Sequence, residues 1–301
     1  MAEEAVKFKL KGHESFFIRE GWLAKGIKNV DNNSRVFISD DATDVLGIGT
    51  NMVKSLRYWL QACGVTEERR VENNKREQFL TGDLGKIIKK YDPYFEDIFS
   101  LWLIHYKLVT NTEFSTAWYL FFNEIKANEF TKDELKDEMV YALNRINNNS
   151  EFSQNSLFDD CECIIKTYYS NKKENKNPED NISCPLTELG LLSKINSYHG
   201  EEIIIKRKPS VDKLDKLIVL YIILDNMKNS NAISIESILN NKCNAGRVLN
   251  LDRNLLNEYL DELKNLGYIE VNRTAGLNQV YNTKKHTKDD IIKEYYEQLM
   301  E

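Results

Sequence analysis

The stretch 252–281, DRNLLNEYLDELKNLGYIEVNRTAGLNQVY, sets the reading of the fold class. Asp252 stands where a helix N-cap belongs. Leu255, Leu256, Tyr259, Leu260, Leu263 and Leu266 then recur at helical spacing, and Gly267 supplies the stop. Tyr268, Ile269 and Val271 read as a strand. Thr274 to Asn278, with Gly276, reads as a turn, and Gln279 to Tyr281 as the return strand. Upstream, Leu214, Leu217, Ile218, Tyr221 and Leu224 predict a helix from Asp212 to Met227, with Asp212 as its cap. Ser234 caps a short second helix that turns Ile235, Ile238 and Leu239 inward, and a loop holding Gly246 leads to the third. Three helices followed by a hairpin is the winged-helix order, a helix-turn-helix variant. Thr287 and Asp290 form a capping-box pattern that opens a last helix.

The other end of the chain predicts a second unit of the same kind. Glu20 to Val30 is a first helix, Asp41 caps a short helix through Leu46, and Gly47-Ile48-Gly49 is the turn. Thr50 caps a helix from Asn51 to Cys63, which Gly64 ends. Val65–Val71 and Arg76–Leu80, separated by Asn73-Asn74-Lys75, form a wing-like hairpin. Between the two units, Glu96–Leu108, Ser115–Lys126, Thr131–Asn147 and Ser156–Tyr169 show helical spacing. Ser170 to Asn181, with Pro178, is a polar linker, and Ile203 to Lys206 is a short strand. The fold class is therefore mainly α: two winged-helix-like units joined by a helical middle. The expected domains are 1–90, 91–205 and 206–301.

Charge follows that division. The 301 residues carry a net charge of −6. Residues 1–90 hold 16 Lys and Arg against 13 Asp and Glu, and residues 206–301 hold 15 against 14. Residues 91–205 hold 10 against 20. Phosphate binding depends on the local patch, so an acidic total leaves nucleic acid open while arguing against a protein that wraps DNA over its whole surface. The N-terminus has no apolar signal segment, and the longest apolar run, Leu217 to Leu224, is far short of the roughly 18 residues a membrane span needs. With 5 Cys, an odd and sparse set, the expected compartment is the cytoplasm with reduced thiols, away from membranes.

The sharpest functional signal is the helix after Gly49. Met52, Val53, Leu56, Trp59 and Leu60 form its apolar face, and Asn51, Lys54, Ser55 and Arg57 its polar one. A recognition helix needs that division, with Asn, Lys or Arg near its N-terminus reaching bases and phosphates. An ordinary surface helix shows the same spacing, so both readings stand. In the C-terminal unit Arg253, Asn254 and Asn257 share the third helix with Glu258, Asp261 and Glu262, with Arg247, Arg273, Lys284 and Lys285 nearby. That mixture admits either DNA contact or protein docking.

Other groups are weaker signals. His13 beside Glu14 pairs a base with a carboxylate, close to Arg19, and equally suits a hydrogen-bonded anchor. Asp92, Glu96 and Asp97 form a carboxylate cluster of the kind that binds a divalent metal, or an acidic helix start that the helix dipole favours. Cys161, Cys163 and Cys184 offer at most three thiolates with poor spacing, so no metal site is assigned. Phosphate-loop, dinucleotide-binding, zinc-protease and nucleophile-elbow motifs are absent from the sequence.

Several segments together resemble one family. They are Gly12-His13-Glu14-Ser15-Phe16 with Arg19-Glu20-Gly21-Trp22-Leu23, Asp40-Asp41-Ala42 followed by Leu46 through Trp59, Asp92-Pro93-Tyr94-Phe95-Glu96-Asp97 with Leu101 to His105, Trp118 to Asn123, and Cys184 to Leu191. In that order they resemble the bacterial family known as domain of unknown function 4007. At one position the chain departs from the pattern, with Thr50 where the family has Lys. The resemblance implies a place beside DNA-sulfur-modification genes in phage defence, similar to the nicking partner of single-stranded DNA phosphorothioate modification. It implies double-stranded DNA as ligand, and a sulfur-transfer enzyme and an ATPase as partners. It carries over no catalytic residue.

The expected function is DNA binding within such a system. The DNA-contacting residues are Asn51, Lys54 and Arg57, with His13 and Arg19 nearby. If the chain nicks a strand, Mg²⁺ or Mn²⁺ with some of Glu14, Asp92, Glu96 and Asp97 is the expected chemistry. The rival expectation is a non-catalytic adaptor or transcription regulator that docks partner proteins.

Overall fold

Short polar side chains start most of the long helices. Asp97 accepts a hydrogen bond from Phe99 N, Ser153 from Ser156 N, Asp215 from Leu217 N and Asp252 from Leu255 N. Thr131 and Thr287 each complete a capping box, with Glu134 and Asp290 reaching back. These bonds satisfy backbone N–H groups that a helix leaves without internal partners. A computed structural model describes residues 7–71, 75–147, 151–170, 183–197, 200–228, 230–274 and 278–300. The chain forms two compact units, Met1–Lys206 and Arg207–Glu301, and residues on both sides of position 90 belong to the first. Helix dominates both, accompanied by small antiparallel sheets.

In the first unit α1 (Trp22–Asn32), α2 (Ala42–Leu46) and α3 (Thr50–Ala62) precede a hairpin, β1 (Thr66–Arg70) and β2 (Arg76–Leu80). Then come α4 (Gly85–Tyr91), α5 (Ile98–Thr110) and α6 (Thr116–Tyr119), the last running into a π turn, Leu120–Glu124. After β3 (Glu129–Phe130) follow α7 (Lys132–Ile146), α8 (Gln154–Tyr168), β4 (Leu192–Asn196) and β5 (Glu202–Lys206). β5 lies between β3 and β4, with Phe130 opposite Ile204 and Ile195 opposite Ile203. α5 buries nearly every side chain from Phe99 to Val109, so it runs through the core and has no solvent stripe. Its own Trp102 is fully buried, as are Trp59 on α3 and Trp118 on α6.

The second unit repeats that logic on a smaller scale. α9 (Lys216–Met227) is buried from Leu217 to Leu224 and packs against α12 (Arg253–Asn265) and α13 (Lys288–Gln298). Between them lie β6 (Ala232–Ser234), α10 (Ile235–Asn240) and α11 (Ala245–Val248), and after α12 come β7 (Glu270–Asn272) and β8 (Gln279–Tyr281). β8 sits between β6 and β7. No helix among the described residues is long and apolar enough to cross a membrane.

Several details differ from the sequence reading. The first helix of this unit starts after Asp215 rather than Asp212, because Asp215 is the residue whose carboxylate meets a free N–H. Gly246 lies inside α11, not in a loop. In the first unit Gly49, not Thr50, is the N-cap of α3, and no side chain caps that end. The expected single helix from Ser115 to Lys126 is a short α-helix continued as a π turn. α4, β3, β4 and β6 were not anticipated. Most of the expected linker, the centre of the turn at 275–277, and Asn73 with Asn74 lie outside the described residues.

Gly246 shows why its position is small. A Cβ there would stand 2.1 Å from Leu239 O, in the backbone of the preceding segment. A Gly246→Ala substitution should therefore destabilise the C-terminal unit by about 1–3 kcal/mol. Urea unfolding of the full chain should show its midpoint lowered, and an unchanged midpoint would mean the helix can move aside.

Candidate nucleic-acid interface

The start of α3 is set by two glycines. Gly47 takes the left-handed conformation that ends α2, and its N–H reaches Thr43 O. Gly49 is extended, and its carbonyl accepts Val53 N at 2.9 Å, the first bond of the helix. Beyond it Val53, Leu56, Tyr58, Trp59 and Leu60 are buried, while Asn51 and Lys54 are exposed. The expected division of the helix is thus present at its first turn.

Two other polar positions do something else. Ser55 is fully buried and its hydroxyl donates to Phe16 O, so it belongs to the packed face. Arg57 Nε donates to Glu68 Oε1 at 2.6 Å, and Gln61 Nε2 meets the same oxygen at 3.1 Å. That network ties α3 to the hairpin and leaves Arg57 less available to an outside anion.

His13 is buried, not at the surface. Ser15 N donates to its Nδ1 at 3.1 Å, so that nitrogen carries no proton and Nε2–H points at Asp160 Oδ1, 2.8 Å away. The ring stacks on Trp59 at 6.0 Å and meets Trp118 edge-on at 5.9 Å. Lys11 N also donates to the Asp160 carboxylate, at 3.0 Å. Burial raises the Asp160 carboxyl above its ordinary value, and the His13 hydrogen bond pulls it part of the way back. Enclosed on all these sides, His13 anchors the N-terminal segment. Arg19 lies over the Phe16 and Trp22 rings, 5.6 and 5.5 Å from their centroids, and lines a hollow of about 390 Å³ with Tyr94 and Glu96.

The four carboxylates do not converge. Asp92 is buried and accepts Glu96 N at 2.9 Å, Asp97 N at 3.1 Å and the Ser100 hydroxyl. Asp97 caps α5. Both therefore hold a tight loop into a helix start, while Glu14 and Glu96 are exposed. Among the described residues no three His, Cys, Asp or Glu side chains are gathered to hold a metal ion. Burial pushes the Cys161 and Cys184 thiols up to about 12 and raises Cys63 and Cys163 as well, which keeps all four protonated.

In the C-terminal unit two of the candidate cations are engaged by neighbouring acids. Arg253 pairs with Glu236 at 2.7 Å, and Arg273 with Asp261 at 2.7 Å. The exposed face of α12 presents Glu258, Asp261 and Glu262 beside Arg253, Asn254 and Lys264, a surface of mixed charge. In the first unit, by contrast, the sequence reading overlooked a cationic groove of about 600 Å³ lined by Arg69, Phe79, Lys86, Lys89 and Lys90, with Asp31 as its acid. The signal was there in Lys86-x-x-Lys89-Lys90, but it becomes a surface only when α4 lies beside the hairpin.

His13→Ala should destabilise the fold by about 3 kcal/mol or more, because it leaves the Asp160 carboxylate buried without its partner. A carboxyl raised in the fold stabilises most below its unfolded value, and that contribution is lost as pH climbs through the folded value. The stability of the wild type relative to Asp160→Asn should therefore fall as pH rises from about 4 to 7. Urea unfolding across that range checks it; a gap that widens with pH would reverse the assignment.

Two solved structures of SspB match the chain. One has magnesium bound, with a TM-score of 0.85, and the other has a TM-score of 0.83. In each case the identity is 25%, over 98% of this chain and 90% of the other. No curated protein matches. The family described as protein of unknown function, DUF4007, matches residues 10–296. With nearly its whole length covered, the chain belongs to the DUF4007 family.

Proposed function

We propose that this chain is the SspB-type, DNA-contacting component of a bacterial phosphorothioate modification and phage-defence system, working in the cytoplasm. The likeness to SspB over nearly the full length of both chains carries this reading. In it the protein opens or nicks one strand of double-stranded DNA, so that sulfur can replace a non-bridging phosphate oxygen. Each unit is read as winged-helix-like. In the second, α9, α10 and α12 precede the strands and β6 completes a three-stranded wing sheet, an arrangement that supports the reading. In the first, α1 to α3 and the β1–β2 hairpin take the same order.

Asn51 and Lys54 at the exposed start of α3 supply the DNA contact, Asn for a base edge and Lys for phosphate. The acidic stretch 91–205 suits a basic surface on a sulfur-transfer enzyme or an ATPase. Mg²⁺ or Mn²⁺ does not fit the four carboxylates as they stand, since Asp92 and Asp97 are committed to backbone N–H groups. That observation favours a second reading, a DNA-binding adaptor that brings a catalytic partner to its site.

Nicking of a supercoiled plasmid by the purified full chain, with and without Mg²⁺ or Mn²⁺, separates the two. Metal-dependent nicking that is lost in Glu14→Ala or Glu96→Ala supports the nickase. Binding without nicking at any metal concentration supports the adaptor. Lys54→Ala should weaken duplex binding and lower the salt slope by about 1. Arg57→Ala should chiefly lower thermal stability, because Glu68 loses its charged partner and keeps only Gln61.

A further inference from the structure

The β1–β2 hairpin contains an arrangement that folding alone does not favour. Arg70 stands directly opposite Arg76 in the ladder. Val71 N donates to Lys75 O and Thr81 N to Val65 O, while Gln78 N turns outward to Ser34 O. The alternation therefore makes Arg70 and Arg76 a non-hydrogen-bonded pair, the kind in which facing side chains come closest, with Cα atoms about 4.5 Å apart. Like charges directly opposite at such a pair are destabilising. Both arginines are exposed, and neither has an acidic partner among the described residues.

The nearby acids are already engaged. Glu68 holds Arg57, Glu67 holds Arg69, and Glu77 accepts from Ser34 and lies near Arg35. The connecting residues 72–74 contribute one further acid, Glu72, by sequence. Both arginines line a hollow of about 450 Å³ that Phe114 walls on another side. An exposed pair of guanidinium groups held face to face beside a hollow with an aromatic wall is suited to an anion with two equivalent oxygens and a flat group attached.

We propose that Arg70 and Arg76 clamp a phosphodiester of a DNA strand, one guanidinium on each non-bridging oxygen, with the adjoining nucleoside entering the hollow beside Phe114. Each guanidinium can make charge-assisted hydrogen bonds to phosphate, and the bound anion removes the repulsion between them. The proposal rests on the reading that this chain acts on DNA, and it places the strand contact on the hairpin as well as on α3. The hairpin then trades stability in the free protein for affinity.

The test measures both quantities in the full chain. Fluorescence anisotropy follows a labelled 20-mer, as duplex and as single strand, across a salt series, and thermal unfolding is recorded without DNA. Arg76→Glu should raise the melting temperature by about 1–3 °C, by turning a repulsion into an attraction, and weaken DNA binding roughly tenfold or more. Arg70→Ala with Arg76→Ala removes the contact to one phosphate and should lower the salt slope by about 0.9 if the ligand is duplex and about 0.7 if it is a single strand. A wild type that binds while both variants bind equally well overturns the clamp and leaves the DNA reading standing. A wild type that binds neither oligonucleotide overturns the DNA reading and the clamp with it. A lower melting temperature in Arg76→Glu overturns the repulsion on which the clamp is argued.

Discussion

The buried pair of His13 and Asp160 holds the first unit together in a way that no single helix does. Its imidazole is fixed by Asp160 on α8, stacked on Trp59 of α3 and edged by Trp118 of α6. Three helices distant in sequence thus share one polar contact inside an aromatic shell. A polar pair in such a place costs solvation, and it is tolerated because each atom is answered: Ser15 N on one ring nitrogen, and Lys11 N with the other ring nitrogen on the carboxylate. Trp59 Nε1 adds a bond to Phe16 O at 2.9 Å. The buried side of α3 is therefore fixed in position, and its exposed first turn with it.

Electrostatics sort the surfaces along the same lines. In the first unit exposed cations gather at Lys54, along the hairpin and on α4, whereas Arg253 of α12 and Arg273 just after β7 are held by Glu236 and Asp261. The net charge of the whole chain says little about this, because a phosphate responds to charges within about 10 Å at moderate salt. The acidic stretch and the cationic hairpin can thus serve different partners from one compact unit.

Elements with long periodic patterns were legible in the sequence. α3, α7, α8 and α12, the β1–β2 hairpin and the Thr287–Asp290 capping box fall within a few residues of where spacing and cap residues put them. β3 and β6 span two and three residues, too few to establish a period. The site was read less well, because spacing does not distinguish a polar residue facing solvent from one facing a backbone carbonyl. Ser55 and His13 are polar and lie near the motif, yet both point inward. Asp92 and Asp97 look like a ligand cluster until the loop closes on them. Lys206 ends a strand and looks like a surface charge, but it is buried, and its ammonium donates to Phe121 O and Ile125 O at 2.6 and 2.9 Å where the π turn leaves carbonyls open.

The cysteines have a practical consequence. Four of the five are sealed in the core, and only Cys243, just before α11, is partly open to solvent. A maleimide dye applied briefly to the folded wild-type chain would find one preferred attachment point, in the C-terminal unit. Motion of that unit during an encounter with a partner can then be followed by fluorescence without first stripping the sequence of its native sulfur.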